Sequence, residues 1–175
     1  MPHAPFLRST RVRCCWGLMV LAFLCPVELL AQSPAGSHGQ LFAITGPGTF
    51  SSDHAWYTGG GFEYVRASGF GVGLEAAGAW GFKPDFQGGP GRSTQLVSVY
   101  ATGQRSNLEA RIQPFALAGV GFLSKAISDT ELAIVLGAGT NVWIRPGKAL
   151  RLDLRVPLGL ADTGGAVFAA GITIR

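Results

Sequence analysis

From Leu150 to Val156 the chain reads Leu-Arg-Leu-Asp-Leu-Arg-Val. A strand here puts Leu150, Leu152, Leu154 and Val156 on one face and Arg151, Asp153 and Arg155 on the other. A soluble sheet would turn the charged face to water. This segment is one of about eight, however, many with glycine or polar residues on the second face, and all follow an export signal. The pattern therefore predicts the inverse arrangement, with aliphatics facing lipid and charges enclosed in a barrel.

The export signal is the first segment to set aside. Arg8, Arg11 and Arg13 precede an apolar run, Cys14 to Leu30, that closes with Leu29-Leu30-Ala31-Gln32. Residues 1–31 read as a cleaved secretory signal peptide. A retained anchor is disfavoured by Pro26 and Glu28, because the uncharged part from Cys14 to Val27 falls short of the roughly 20 residues a spanning helix needs. A lipoprotein signal ending at Cys25 is a third option, with bulky Leu24 departing from its pattern. All three cysteines, Cys14, Cys15 and Cys25, lie in this segment, so disulfide stapling and thiol chemistry are excluded from the remainder.

The full chain has 14 Lys and Arg against 10 Asp and Glu. The first 31 residues hold three arginines and Glu28, which leaves 11 basic and 9 acidic residues. That near balance, without a basic cluster, gives no sign of nucleic-acid binding. The remaining 144 residues suffice for one domain, and none of their segments offers 18 consecutive apolar residues, which excludes a helical membrane protein.

Residues 32–39 are small and polar and read as a flexible lead-in to a barrel domain over 40–175. Strands are predicted near Gln40–Gly46, Tyr57–Arg66, Phe70–Phe82, Thr94–Gln104, Arg111–Phe122, Glu131–Ile144, Ala149–Val156 and Gly165–Ile174. Ala67-Ser68-Gly69 and Pro146-Gly147-Lys148 read as tight turns, and Arg105 to Ala110 as a moderately short link. Longer links are expected at Pro47–Trp56, Lys83–Ser93, Leu123–Thr130 and Pro157–Gly164. The alternation matches a barrel with periplasmic turns and external loops.

The two tight turns fix which side chains share a face, because a three-residue hairpin loop pairs residues of equal parity. One hairpin groups Phe62, Tyr64, Phe70, Val72, Leu74 and Trp80 outward and Glu63 with Glu75 inward. The other groups Ile134, Leu136, Leu152 and Leu154 outward and Gly137, Gly139, Asn141, Arg151, Asp153 and Arg155 inward. Buried charges demand partners. The expectation is a lumen network of Glu63 and Glu75 against Arg151 and Arg155, with Asp153 between the arginines, plugging a barrel too slim for a free channel. A proton path, a gate or a catalytic carboxylate pair would use the same residue types, but paired carboxylates alone are a weak catalytic signal.

Other chemistry is thin. His38 and His54 have no metal partner at ligand spacing, and Ser51, Ser52, Asp53 and His54 read as solvated loop residues rather than a hydrolase dyad. Gly-x-Gly runs at Gly69–Gly73, Gly119–Gly121 and Gly137–Gly139 lack the strand-to-helix switch of a dinucleotide site, and read as small inward residues that make room for bulky neighbours. Trp56, Tyr57, Trp80, Phe82, Tyr100, Phe122 and Trp143 read as interfacial girdles, with Tyr100 and Trp143 of a parity that can turn them inward.

The segments Gly59-Gly60-Gly61-Phe62-Glu63-Tyr64, Gly71-Val72-Gly73-Leu74-Glu75-Ala76, Pro114 to Gly121 and Leu150 to Arg155 give the chain its family likeness. In their order and spacing it resembles the small eight-stranded outer-membrane β-barrel proteins, such as outer membrane proteins A and X and the opacity-type surface proteins. It departs from them at its end, which reads Ile172-Thr173-Ile174-Arg175 where an aromatic residue is common. The resemblance implies an all-β, antiparallel up-and-down transmembrane barrel in the outer membrane of a Gram-negative-type bacterium, serving envelope integrity or adhesion. The expected function is non-catalytic, without cofactor or metal, with outer-membrane lipid around the wall and any further partner met at the external loops. Lateral association is left open. One alternative is a lipid-modifying enzyme of the same shape using Ser51, Ser52, Asp53 and His54. Another is a soluble secreted barrel holding an apolar ligand, which would place its charges outside.

Overall fold

The computed structural model describes residues 36–50, 53–81, 93–105, 110–126, 129–160 and 164–175. The segment read as a signal peptide, Ser51, Ser52, Phe82 and the glycine- and proline-rich stretch after it lie outside those residues. Eight strands follow in order: β1 His38–Phe50, β2 Asp53–Val65, β3 Phe70–Gly81, β4 Ser93–Gln104, β5 Ile112–Ala126, β6 Asp129–Arg145, β7 Lys148–Gly159 and β8 Gly165–Ile174. Each pairs antiparallel with its neighbours, and β1 pairs with β8 to close the barrel. Closure gives every strand a neighbour on both sides and leaves no free edge strand, which a sheet standing in hydrocarbon requires.

Two glycines set the register. Gly69 and Gly147 adopt φ of 88° and 76°, a region that costs L side chains energy. Around Gly69 the hairpin closes with Arg66 N–H donating to Phe70 O at 2.9 Å, and Phe62 faces Leu74 across the pair. The second hairpin differs slightly from the three-residue loop expected. Its loop is Pro146-Gly147 between Arg145 and Lys148, and a bulge between Trp143 and Arg145 restores equal parity at Val142 and Leu150.

The wall obeys that parity throughout. Phe70, Val72, Leu74, Trp80, Ile134, Leu136, Leu154 and Phe168 are exposed, with Phe70 at 72%. Arg151, Arg155 and Glu75 are fully buried, at 0%. Between the rims, no outward-facing position among the described residues carries a charge. From Phe70 to Trp80 along β3 is about 33 Å at ~3.3 Å per residue, and a strand tilt of ~40° reduces that to a band roughly 25 Å tall. That height matches a bilayer's hydrocarbon. The soluble alternative, with charges outside, is excluded by this arrangement.

Strand extends into three of the four expected long links. β1 runs through Pro47 to Phe50 and β2 starts at Asp53, so the expected link Pro47–Trp56 shrinks to Ser51-Ser52. β5 and β6 similarly absorb most of Leu123–Thr130, and β7 continues through Pro157 to Gly159. Proline misled the reading because it ends a strand only where its missing N–H would be laddered. Here the β1–β8 ladder skips from Thr45/Ala170 to Gly48/Val167, and Pro47 occupies the gap. Pro157 lies past the last β7–β8 pair, Arg155/Val167. β1 also begins two residues inside the stretch read as lead-in.

Candidate functional site: the charged lumen

The inward faces of β2, β3 and β7 bring the five charged residues together. Arg151 donates through Nη2 to Glu63 Oε1 at 2.9 Å and through Nε to Asp153 Oδ2 at 2.9 Å. Arg155 donates through Nη1 to Glu75 Oε2 at 2.5 Å and through Nε to Asp153 Oδ1 at 2.8 Å. Asp153 thus bridges two guanidiniums that flank it on its own strand. The cross-barrel partners Glu63 and Glu75 lie 88 and 80 residues away in sequence.

Three acids against two bases would leave an excess carboxylate, which neutral donors accommodate. Tyr57 Oη donates to Glu75 Oε1 at 2.5 Å, Tyr100 Oη to Glu63 Oε1 at 2.9 Å, and the Gln40 amide to Glu63 Oε2. Such charge-assisted bonds offset desolvation better than an isolated pair does. The Arg151 guanidinium also lies between two rings, its Cζ 4.2 Å from the centroids of both Phe42 and Phe115. Glycine makes that sandwich possible. A Cβ on Gly61 would stand 2.7 Å from Phe42 Cζ, and one on Gly139 2.6 Å from Phe115 Cζ.

The sequence reading missed Gln40, Phe42, Tyr57, Tyr100 and Phe115 as members of this cluster. Tyr57 belongs to the lumen, buried at 1%, and not to the lipid-facing girdle where it was expected. Tyr100 and Trp143 also turn inward, while Trp56, Trp80 and Phe122 remain on the outer wall. Carrying the hairpin parity further along β2, from Glu63 to Tyr57, would have exposed the error.

The lumen is layered. Toward the rim formed by the tight turns, Trp143 Nε1 donates to Gln113 Oε1 at 2.8 Å, and Arg175 stacks with its Cζ 4.0 Å from the Trp143 ring. Gln40 Oε1, Asn141 Nδ2 and both amide heteroatoms of Gln104 are buried without a protein partner at this end, so they are placed to bind water. Toward the opposite rim the fill is apolar: Ile44, Phe50, Ala55, Leu96, Leu123, Val135 and Val167 form one buried cluster. Ions and water entering from the turn side therefore meet a dry cap above the charged centre.

Of the loop residues weighed for catalysis, only Asp53 and His54 are described. Asp53 and His54 open β2 on its exposed rim, His54 opposite Thr49, and His38 sits at the far end of the barrel with Nδ1 3.5 Å from Gly36 O. Ser51 and Ser52 fall outside the described residues. Among the described residues, no group of three His, Cys, Asp or Glu could hold a metal ion.

No protein-family profile matches the sequence, and no curated protein matches it. Solved structures do share its fold. It is similar to Neisserial surface protein A, at 12% identity and TM-score 0.63, over 79% of this chain and 96% of that one. The N-terminal β-barrel domain of Pseudomonas aeruginosa OprF aligns at 15% identity and TM-score 0.59, over 79% of this chain and 96% of that domain. The outer membrane enzyme PagL aligns at 15% identity and TM-score 0.52, over 77% and 98%. At such identities the likeness is one of fold, and the fold is the eight-stranded antiparallel barrel of outer-membrane proteins. That architecture hosts both enzymes and proteins without known chemistry, so function rests on the site.

Proposed function

We propose that the chain is a non-catalytic outer-membrane barrel whose lumen is a structural plug and whose loop-side rim meets the cell's surroundings. One observation carries this reading: an uncharged apolar wall encloses a charged centre in which ion pairs join Glu63, Arg151, Asp153, Arg155 and Glu75 in one chain, capped by an apolar layer. Such a centre has its proton donors and acceptors engaged and offers no open position for a substrate. The fold's tight turns face the periplasm in barrels of this type, which orients the apolar cap outward.

The test is expression of the chain with its leader in a diderm bacterium, followed by fractionation and planar-bilayer recording. Support is recovery in the outer-membrane fraction, faster gel migration before heating than after, and no more than brief, small conductance. Recovery as a detergent-free soluble protein, or a large steady conductance, would sink the reading. Because PagL shows that this fold accommodates an enzyme, the lipids of the expressing strain are also compared with those of strains carrying His54→Ala and Asp53→Ala. A lipid change made by the wild type and abolished by either variant would replace the structural reading with a lipid-modifying one.

A further inference from the structure

Among the described residues the turn rim is strongly basic. At the turn rim stand Arg66, Arg105, Arg111, Arg145 and Lys148, all exposed, and no described acidic side chain lies among them. The sequence adds a single acid, Glu109, to the segments joining strands at this end. In the sequence, the stretches around the other four connections reverse the ratio, with five acids, Asp53, Asp85, Asp129, Glu131 and Asp162, against three bases, Lys83, Arg92 and Lys125. Solubility would ask only for charge at both ends; segregating it by sign creates a field with a direction.

Position sharpens the point. Arg66, Arg105 and Lys148 continue the outward parity of β2, β4 and β7, directly past Tyr64, Gly103 and Leu150. They therefore stand where the hydrocarbon band ends and lipid headgroups begin. Beside Arg105 the outer wall is indented by a groove of about 430 Å³ whose sides include Phe70, Pro114 and Ala116 and whose floor is Gly103. The groove stays open because Gly103 has no side chain; a Cβ there would meet only the Phe70 ring, at 3.8 Å. An apolar trough that ends at an exposed guanidinium has the shape and charge order of an acyl chain leading to a phosphate.

We infer that the turn rim is a binding collar for anionic glycerophospholipid, with the groove between Phe70 and Pro114 holding an acyl chain and Arg105 its phosphate. Arg66, Arg111, Arg145 and Lys148 attract further headgroups around the circumference. Each Lys or Arg near a membrane surface favours anionic lipid by about fivefold in partitioning, screened within a Debye length. The collar thereby fixes the depth of the barrel and recruits acidic lipid to the periplasmic leaflet. This inference rests on the membrane-spanning reading proposed above.

The experiment is reconstitution of the folded protein in phosphatidylcholine bilayers containing a trace of spin-labelled phosphatidylglycerol or, separately, spin-labelled phosphatidylcholine. The fraction of motionally restricted label is then compared. At low salt the wild type should hold phosphatidylglycerol severalfold over phosphatidylcholine. Arg105→Gln should lose a distinct part of that preference, and Gly103→Leu, which fills the groove without altering charge, should lose the same part. Substituting all five cations by Gln should bring the two lipids to parity while the unheated gel shift reports an intact barrel. Equal restriction of both lipids by the wild type, or a preference untouched by the five-fold variant, overturns the collar. Displacement of the label by millimolar inorganic phosphate would also overturn it, marking a site for the free anion. Failure to insert at all would instead refute the membrane reading.

Discussion

Replacing Arg151 by Met tests the logic of the lumen directly. Met keeps much of the volume and lies between the Phe42 and Phe115 rings, so its sulfur contacts, about 1 kcal/mol each, offset a large part of the two lost cation–π contacts, about 2 kcal/mol each when desolvated. What remains is electrostatic. Glu63 loses both arms of its guanidinium partner, at 2.9 and 3.3 Å, and keeps only Tyr100 and Gln40, while Asp153 keeps only Arg155. A buried charge stripped of its partner costs roughly 3–5 kcal/mol, and that is the expected loss of stability for Arg151→Met. Adding Glu63→Gln should then restore about 2 kcal/mol or more, because the orphaned charge is gone. The new side chain still accepts from Tyr100, and Gln40, whose Oε1 has no partner, can turn its amide to accept from the new one. Urea titration in short-chain phosphatidylcholine vesicles, followed by tryptophan emission and by the unheated gel shift, measures both variants. A cost below about 1 kcal/mol for Arg151→Met, or a double variant no more stable than the single one, would refute a dry, mutually dependent network.

Three further outcomes are expected from the same assay. Leu154→Arg, in mid-wall between Ala138 and Phe168, should cost about 2–4 kcal/mol, whereas Ile174→Arg, at the rim, should cost about 0–1 kcal/mol; equal penalties would contradict the orientation of the wall in lipid. Gly73→Ala should cost about 1–3 kcal/mol and disturb the Tyr100–Glu63 bond, because its Cβ would collide with the Tyr100 ring. Gly164→Ala, which meets nothing within 4 Å, should stay within about 0.5 kcal/mol, so comparable losses at the two glycines would show that backbone freedom, rather than ring packing, dominates at Gly73.

Strand count and facing were legible because alternation along a strand has period two, and one glycine turn transfers that parity to the next strand without reference to anything distant. Phe62 with Leu74 follows from the Gly69 turn alone, whereas at Gly147 the turn gave only the shared parity, and the bulge between Trp143 and Arg145 decided that Val142 meets Leu150. The need of each buried charge for a partner made the five ionic residues recognisable as a set, since none could stand alone in so narrow a barrel. The strand ends were not legible. Whether Pro47 or Pro157 stops a strand depends on which neighbour its nitrogen faces and on where that neighbour's ladder is broken.

The sequence by itself determined an eight-stranded barrel with aliphatics on one face and five charges on the other, because local alternation and turn chemistry specify these without long-range information. Only the tertiary structure decided which carboxylate meets which guanidinium, that Phe42 and Phe115 enclose Arg151, and that Tyr57 and Tyr100 complete the network. Those contacts join residues on different strands, the cross-barrel ion pairs 88 and 80 positions apart, and their height in the lumen is set by the stagger accumulated around the closed sheet. Closure likewise turned scattered surface cations into a collar at one rim, a pattern that has no meaning until the odd and even connections are known to lie at opposite ends.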